Sequence, residues 1–125
     1  MSTFRGQMWN ATMTVYRRQQ SVSENGKTVT EWTSQTVSGV YLGMKKRQVL
    51  NGTVLAEEDV HVCRIPADAI DGLSKGDVIC EGEVTVSIPK NSSTETALKG
   101  VEHFTADAVT DNRGLKRTAH WYAEG

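Results

Sequence analysis

The side chains best suited to metal or acid–base chemistry in this chain are His61, Cys63, Cys80, His103 and His120. His61 and Cys63 are two residues apart in an alternating segment, so both would lie on one face of a strand. A structural zinc site needs four ligands, usually supplied as close pairs from turns. The sequence has no Cys-x-x-Cys and no second His-x-Cys. The pattern therefore favours strand residues over a metal site, and two reduced, buried cysteines over a disulfide.

No other residue set in the sequence matches a reaction centre. The chain lacks the Gly-x-Ser-x-Gly of a nucleophile elbow and both glycine-rich phosphate loops. Asp107 and Asp111 are close enough in sequence to suggest a carboxylate pair, but a strand end and its turn favour two solvated side chains. We therefore expect no enzyme activity, no catalytic residues and no cofactor.

Aromatic residues beside basic ones are typical of modules that bind single-stranded nucleic acid by stacking. The groups of this kind are Tyr16-Arg17-Arg18 and His120-Trp121-Tyr122 with Arg117. With 14 basic and 15 acidic residues, the chain has a net charge of −1 and no strong attraction for phosphate backbones. We expect these aromatics in the core, and we keep a small β-barrel module that binds single-stranded nucleic acid as the alternative function.

Alternating segments rich in β-branched residues predict an all-β protein. Its 125 residues form a single domain, 1–125. Asn25-Gly26 predicts a hairpin over residues 11–34, with positive φ at both central positions of a type I′ turn. Further strands are predicted at 36–45, 60–65, 78–80, 84–88, 101–109 and 117–123. Turns at roughly ten-residue spacing indicate a small antiparallel β-barrel or sandwich.

The remaining segments predict an N-terminal arm at residues 1–10, long loops at 46–58 and 89–100, and at most one short helical turn, at 67–73. Asn51-Gly52 leaves a second hairpin open as the alternative for the first loop. Gly39 and Gly43 inside a strand predict a bulge or bend. The sequence contains no run of about 18 apolar residues, so we expect no membrane span. It has no apolar segment near Met1, so we expect no secretory signal peptide.

The alternation also predicts which residues fill the core. They are Val15, Val40, Leu42, Val62, Ile79, Val84, Val86, Ile88, Phe104 and Trp121.

Several segments, taken in order, carry a resemblance to a known family. They are Thr12-Met13-Thr14-Val15-Tyr16 with Trp32, Val37-Ser38-Gly39-Val40-Tyr41-Leu42, Arg64-Ile65-Pro66, Gly76-Asp77-Val78-Ile79-Cys80-Glu81-Gly82, and Asp111 and Gly114 with His120-Trp121. Over most of its length the chain resembles small structural proteins encoded in the head–tail module of tailed phages and prophages of Gram-positive bacteria. The segment after Pro89 departs from that family, because it lacks an aromatic-rich continuation.

The resemblance implies a non-enzymatic virion protein with a small β-barrel core. It implies a head–tail connector or head-closure component of the neck, which acts in the virion and is assembled in the bacterial host cytoplasm. The expected partners are portal or adaptor proteins, tail-terminator or tail-tube proteins, and further copies of the chain in a ring. The resemblance leaves open whether the isolated subunit is a monomer or associates with itself. No membrane and no specific nucleic acid are expected as partners.

Ring contacts between identical subunits are head-to-tail and are made by loops and exposed edges. The predicted loops at 46–58 and 89–100 are the best candidates for such a contact. Two charged stretches flank the first loop, and pairing between neighbouring subunits and plain solvated surface are both open for them. The candidate assembly interface is Lys45, Lys46, Arg47, Glu57, Glu58 and Asp59.

Overall fold

The structure is a computed structural model that describes residues 8–114 and 119–125. Its elements are β1 (Met8–Val22), β2 (Thr28–Asn51), β3 (Val54–Pro66), β4 (Val78–Glu81), α1 (Thr94–Ala97), β5 (His103–Thr105), β6 (Ala108–Asn112) and β7 (His120–Glu124). The strands form one antiparallel sheet in the order β5-β4-β1-β2-β3-β7-β6. The prediction of an all-β antiparallel fold is confirmed. The sheet is open, as in a small sandwich, and not a closed barrel.

The two edge strands of this sheet follow each other directly in the chain. β5 and β6 lie at opposite edges, yet only Ala106 and Asp107 separate them. Ala106 exchanges backbone hydrogen bonds with Gly76 and Asp77 beside β4, whereas the Asp107 N–H donates to the Glu124 carbonyl in β7. The predicted strand 101–109 is therefore wrong, because its two halves pair with different neighbours. The change of partner brings the two edges together and rolls the sheet around its core.

The core consists of two buried clusters. The larger one fills the rolled sheet and includes Phe104 of β5 and Trp121 of β7, and the smaller one includes Cys80 and Ile88. Eight of the ten predicted core residues are buried; Val84 is half-buried, and Val86 is 40% exposed and was wrongly assigned. Cys63 and Cys80 are buried free thiols, as predicted. Burial raises the pKa of each thiol to about 12, so neither is a ready nucleophile.

Two parts of the long strands extend past the shared sheet as two-stranded ribbons. β4 pairs with β1 only at residues 13–16, and β7 pairs with β3 only at residues 62–66. We call residues 17–33 the first ribbon and residues 45–60 the second ribbon. The predicted loop 46–58 is thus a hairpin. Its two-residue connection begins with Gly52 at φ +71°, the placement that a type II′ turn requires.

The hairpin predicted around Asn25-Gly26 is present, but its turn type was wrong. Of the two residues Asn25 and Gly26, only Gly26 has a positive φ, at +77°. Its N–H donates to the Ser23 carbonyl at 2.9 Å. The strand continues without a break to Asn51, so the separate strand predicted from residue 36 is part of β2. Gly39 at φ +74° forms the predicted bulge, because one residue is skipped in the pairing with β1 between Ser38 and Val40.

Other local predictions were also wrong. Residues 67–69 form a turn and residues 70–73 have no regular structure, so the helical candidate at 67–73 is not a helix. The single helix of the described residues lies within the predicted loop 89–100. Residues 84–88 are not a strand, because β4 already pairs with β1 on one side and β5 on the other. The N-terminal arm was predicted at 1–10: residues 8–10 belong to β1, and residues 1–7 lie outside the described part. The predicted start of the last strand at Arg117 also lies outside it.

Candidate functional site

The six charged residues predicted as an interface lie together on the second ribbon. The pairing of β2 with β3 sets Lys46 opposite Asp59 and Arg47 opposite Glu58. Lys46 Nζ lies 3.7 Å from an Asp59 oxygen and 3.9 Å from one of Glu57, and Arg47 donates to the Glu58 carboxylate. Their charges are therefore paired across the hairpin, within the subunit. Cross-strand pairs of opposite charge favour one register, although each exposed pair contributes only about 0–1 kcal/mol.

Strand alternation gives the second ribbon two different faces. Lys45 and Arg47 point toward the sheet, where Lys45 bonds the Glu124 carboxylate and Arg47 Nη1 lies 3.7 Å from an Asp107 oxygen. The bond from Lys45 lowers the pKa of Glu124 and fixes the base of the ribbon to β7. We call the opposite side the outer face. It carries Lys46, Gln48, Leu50, Leu55, Glu57 and Asp59.

The tip of the second ribbon is apolar and exposed. Leu50 and Leu55 are direct cross-strand partners, with 70% and 67% of their surface exposed, and Val54 beside the turn is 64% exposed. Among the described residues, these are three of the five large hydrophobic side chains that are most exposed. Apolar side chains grouped in this way are typical of interaction sites. The sequence shows them on both sides of Asn51-Gly52, but their exposure depends on how far the hairpin extends from the sheet.

Gly76 and Asp77 form part of a turn at the base of the first ribbon, and both have a structural role there. The buried Asp77 carboxylate accepts hydrogen bonds from the Arg18 N–H at 2.9 Å and the Ser74 N–H at 2.8 Å. Gly76 has φ +97°, and a Cβ there would lie 2.5 Å from the Arg18 guanidinium. The positive φ favours glycine at this position, whereas the Arg18 side chain could move away from a Cβ. Asp77 fixes this turn to β1.

An open cleft of about 420 Å³ lies along the first ribbon. Arg18, Gln20, Thr30 and Trp32 line one side, and residues 91–94 line the other. Asn91 holds the two sides together, because its N–H donates to the Thr30 carbonyl and its side-chain oxygen accepts from the Thr30 N–H. Sequence reasoning missed this cleft, since nothing local indicates that residues 91–94 pack against β2.

The aromatic groups proposed for stacking are mostly buried. Tyr16 and Trp121 are 2% and 8% exposed, and Arg117 lies outside the described residues. Arg18 and Trp32 in the cleft are the nearest equivalent on the surface. In the described part of the chain, no helix is long and apolar enough to cross a membrane.

The groups considered for catalysis do not converge on a reaction centre. The His61 ring stacks on Phe104, with centroids 5.3 Å apart. Asp107 lies beside Arg47, and Asp111 is bonded by Arg113, which lowers its pKa to about 2. Across residues 8–114 and 119–125, no three side chains of His, Cys, Asp or Glu lie close enough to hold a metal ion.

The chain belongs to a family of unknown function, DUF6751, whose model matches residues 8–125. Comparison of the chain with curated proteins and with solved structures found no match.

Proposed function

We propose that this member of the DUF6751 family acts by assembly, as a non-enzymatic structural protein of a phage or prophage virion. In this proposal it forms a homo-oligomeric ring in the neck, as a head–tail connector or head-closure component between the portal and the tail. Its partners are portal or adaptor proteins on one side and tail-terminator or tail-tube proteins on the other. The observation that carries the proposal is the second ribbon, which extends an exposed apolar tip away from a packed core.

The division of the molecule into a rigid base and extended ribbons supports this proposal. The larger of the two buried clusters in the base includes residues from β1, β2, β3, β4, β5 and β7. The ribbons add long backbone edges. At the tip of the second ribbon they also add two leucines, Leu50 and Leu55, that are exposed to water in the isolated subunit. A subunit that only had to fold gains little from such a tip, whereas a subunit that joins a ring can bury it against a neighbour.

The ordered resemblance to head–tail module proteins supports the choice of virion over other assemblies. It includes the Gly76-Asp77 turn, which has a structural role at the base of the first ribbon. The near-neutral charge and the lack of a converged reaction centre among the described residues agree with a role based on surface and shape.

Disruption of the gene in the parent phage or prophage tests the proposal. We expect heads that fill with DNA but leak, or that remain without tails, when examined by electron microscopy. Complementation with the wild-type gene should restore infectious particles. Complementation with Leu50→Ser/Leu55→Ser should fail, whereas Val22→Ser should succeed, because Val22 is a comparably exposed residue on the other ribbon. Normal, infectious particles that lack the protein would rule the function out.

A second candidate function is the binding of single-stranded nucleic acid in the cleft. The observation that favours it is that Arg18 and the partly buried Trp32 both line one open cleft. A basic and an aromatic residue together are the combination that neutralises and stacks on a strand. Anisotropy of a labelled oligothymidine at low and high salt tests it. Salt-dependent binding that Arg18→Ala abolishes and Lys27→Ala leaves intact would favour this function over assembly.

A further inference from the structure

We infer that neighbouring copies of the chain join through their second ribbons, with β3 of one copy pairing edge to edge with β2 of the next. This inference rests on the proposed ring, and it names the contact that builds the ring. Among the described residues, β2 from Gly43 to Asn51 pairs only with β3, and β3 from Val54 to Val60 pairs only with β2. Within residues 8–114 and 119–125, each strand of the ribbon therefore has one backbone edge without a ladder partner. Recognition by strand addition uses edges of this kind.

The charges on the two edges select the partner strand. On β2 the ribbon carries Lys45, Lys46 and Arg47, and on β3 it carries Glu57, Glu58 and Asp59. A two-fold contact would pair β2 with β2 or β3 with β3, so that the charged stretches of both facing strands have the same sign. Like charges on adjacent strands are destabilising. The pairing of β3 with a neighbour's β2 instead sets acidic residues beside basic ones.

The direction of the strands agrees with the same arrangement. Hairpins that lie side by side in the same orientation place β3 of one next to β2 of the next, and these two strands run antiparallel. The contact is head-to-tail, since each copy uses one edge to bind and offers the other edge to a third copy. Contacts of this type close into rings when the rotation between copies permits it.

The outer face supplies the remaining elements of the contact. Side by side, the hairpins align Leu50 and Leu55 of successive copies into one apolar strip. The side chains of Lys46, Glu57 and Asp59 are 70%, 60% and 59% exposed, so their pairing within the subunit leaves room for a second partner. The leucines contribute affinity, and the charges determine which edges meet.

A charge-swapped variant tests the direction of pairing. Lys46→Glu with Glu57→Lys and Asp59→Lys exchanges the outer-face charges of the two strands but keeps them opposite within the subunit. Circular dichroism first establishes that the variant folds. Wild-type and swapped chains are then labelled with different fluorophores and mixed at low salt, and energy transfer measures their co-assembly. Each chain should assemble with its own kind at least tenfold more strongly than with the other.

The outcomes separate this inference from the proposed function. Preferential assembly of wild-type with swapped chains would overturn the inference, because that result requires β2–β2 or β3–β3 contacts. Absence of self-association in sedimentation experiments up to millimolar concentration would overturn it as well, while gene disruption still tests the virion role. Leu50→Ser/Leu55→Ser should weaken self-association at least tenfold, and Val22→Ser should not. Equal effects of the two variants would contradict the assignment to the second ribbon.

Discussion

Replacement of Asp77 by asparagine should destabilise the protein strongly, although the two side chains have the same shape. In the wild type both carboxylate oxygens are used, one by the Arg18 N–H and the other by the Ser74 N–H. Asparagine has only one acceptor oxygen, and its NH₂ group would face an N–H donor at the other position. With Asp77 only 1% exposed, water cannot replace the lost partner.

The size of the effect follows from the number of bonds lost. A hydrogen bond to a charged group contributes about 1.5–3 kcal/mol, and a neutral one about 1 kcal/mol. Asp77→Asn removes one charge-assisted bond and converts the other into a neutral bond. We therefore expect a loss of about 3 kcal/mol in the free energy of unfolding. For a chain of this length, the melting temperature should fall by about 10 °C.

Urea unfolding at pH 7 measures this difference, with Asp71→Asn as the control. Asp71 is exposed, so its substitution should change the free energy of unfolding by less than about 0.5 kcal/mol. Amide exchange gives a local readout, since the Arg18 and Ser74 amides should exchange faster in Asp77→Asn than in the wild type. A free energy of unfolding within about 0.5 kcal/mol of wild type would refute the assigned role of the carboxylate.

Other predictions concern the sheet and its closure. Thr14→Val removes a buried hydroxyl that donates to the backbone carbonyl of residue 82 and accepts from the backbone N–H of residue 84. The substitution should lower the free energy of unfolding by about 2 kcal/mol. Urea unfolding measures this change, and an unchanged midpoint would contradict the prediction. The bond from Lys45 lowers the pKa of Glu124, so its stabilisation is present above the unfolded value of about 4.3 and is lost as pH falls through the folded pKa. Thermal unfolding should therefore show Glu124→Gln to be less stable than wild type at pH 7, with a difference that shrinks as the solution becomes acidic; a constant difference would be inconsistent with the pair. Phe104→Ala should cost about 3–5 kcal/mol because the ring is buried, whereas Val86→Ala should stay within about 1 kcal/mol, and calorimetry compares the two.

Local signals in the sequence were sufficient for the first hairpin and the bulge. Asn25-Gly26 stands between two alternating segments, and Gly39 adopts a backbone conformation that few other residues favour. Both signals can be read from neighbouring residues in the sequence. The turn type was wrong because Asn tolerates positive φ without requiring it.

Features that depend on distant pairing could not be predicted. Residues 84–88 alternate as a strand does, yet β4 has no edge left for them. The second ribbon was predicted as a loop because residues 45–48 and 57–59 are polar. Their opposite charges pair across the hairpin only in one register, which depends on the turn at Gly52 and on the pairing of β3 with β7. The six interface candidates were therefore found by residue type, whereas their pairing and the exposure of Leu50 and Leu55 required the structure.

The second ribbon is costly for an isolated subunit to order. Each residue held in a strand loses about 1–2 kcal/mol of backbone entropy, and a two-stranded hairpin alone is marginally stable in water. At its base, Lys45 bonds Glu124 and Arg47 lies beside Asp107. Beyond these contacts the ribbon is stabilised by its own ladder and by exposed ion pairs that contribute little. Under the proposed function, a neighbouring subunit offsets this cost by covering the leucines and pairing the open edges. The ribbon would then be weakly ordered before assembly and rigid after it. The ordering of the ribbon would in that case be the step that controls assembly of the ring.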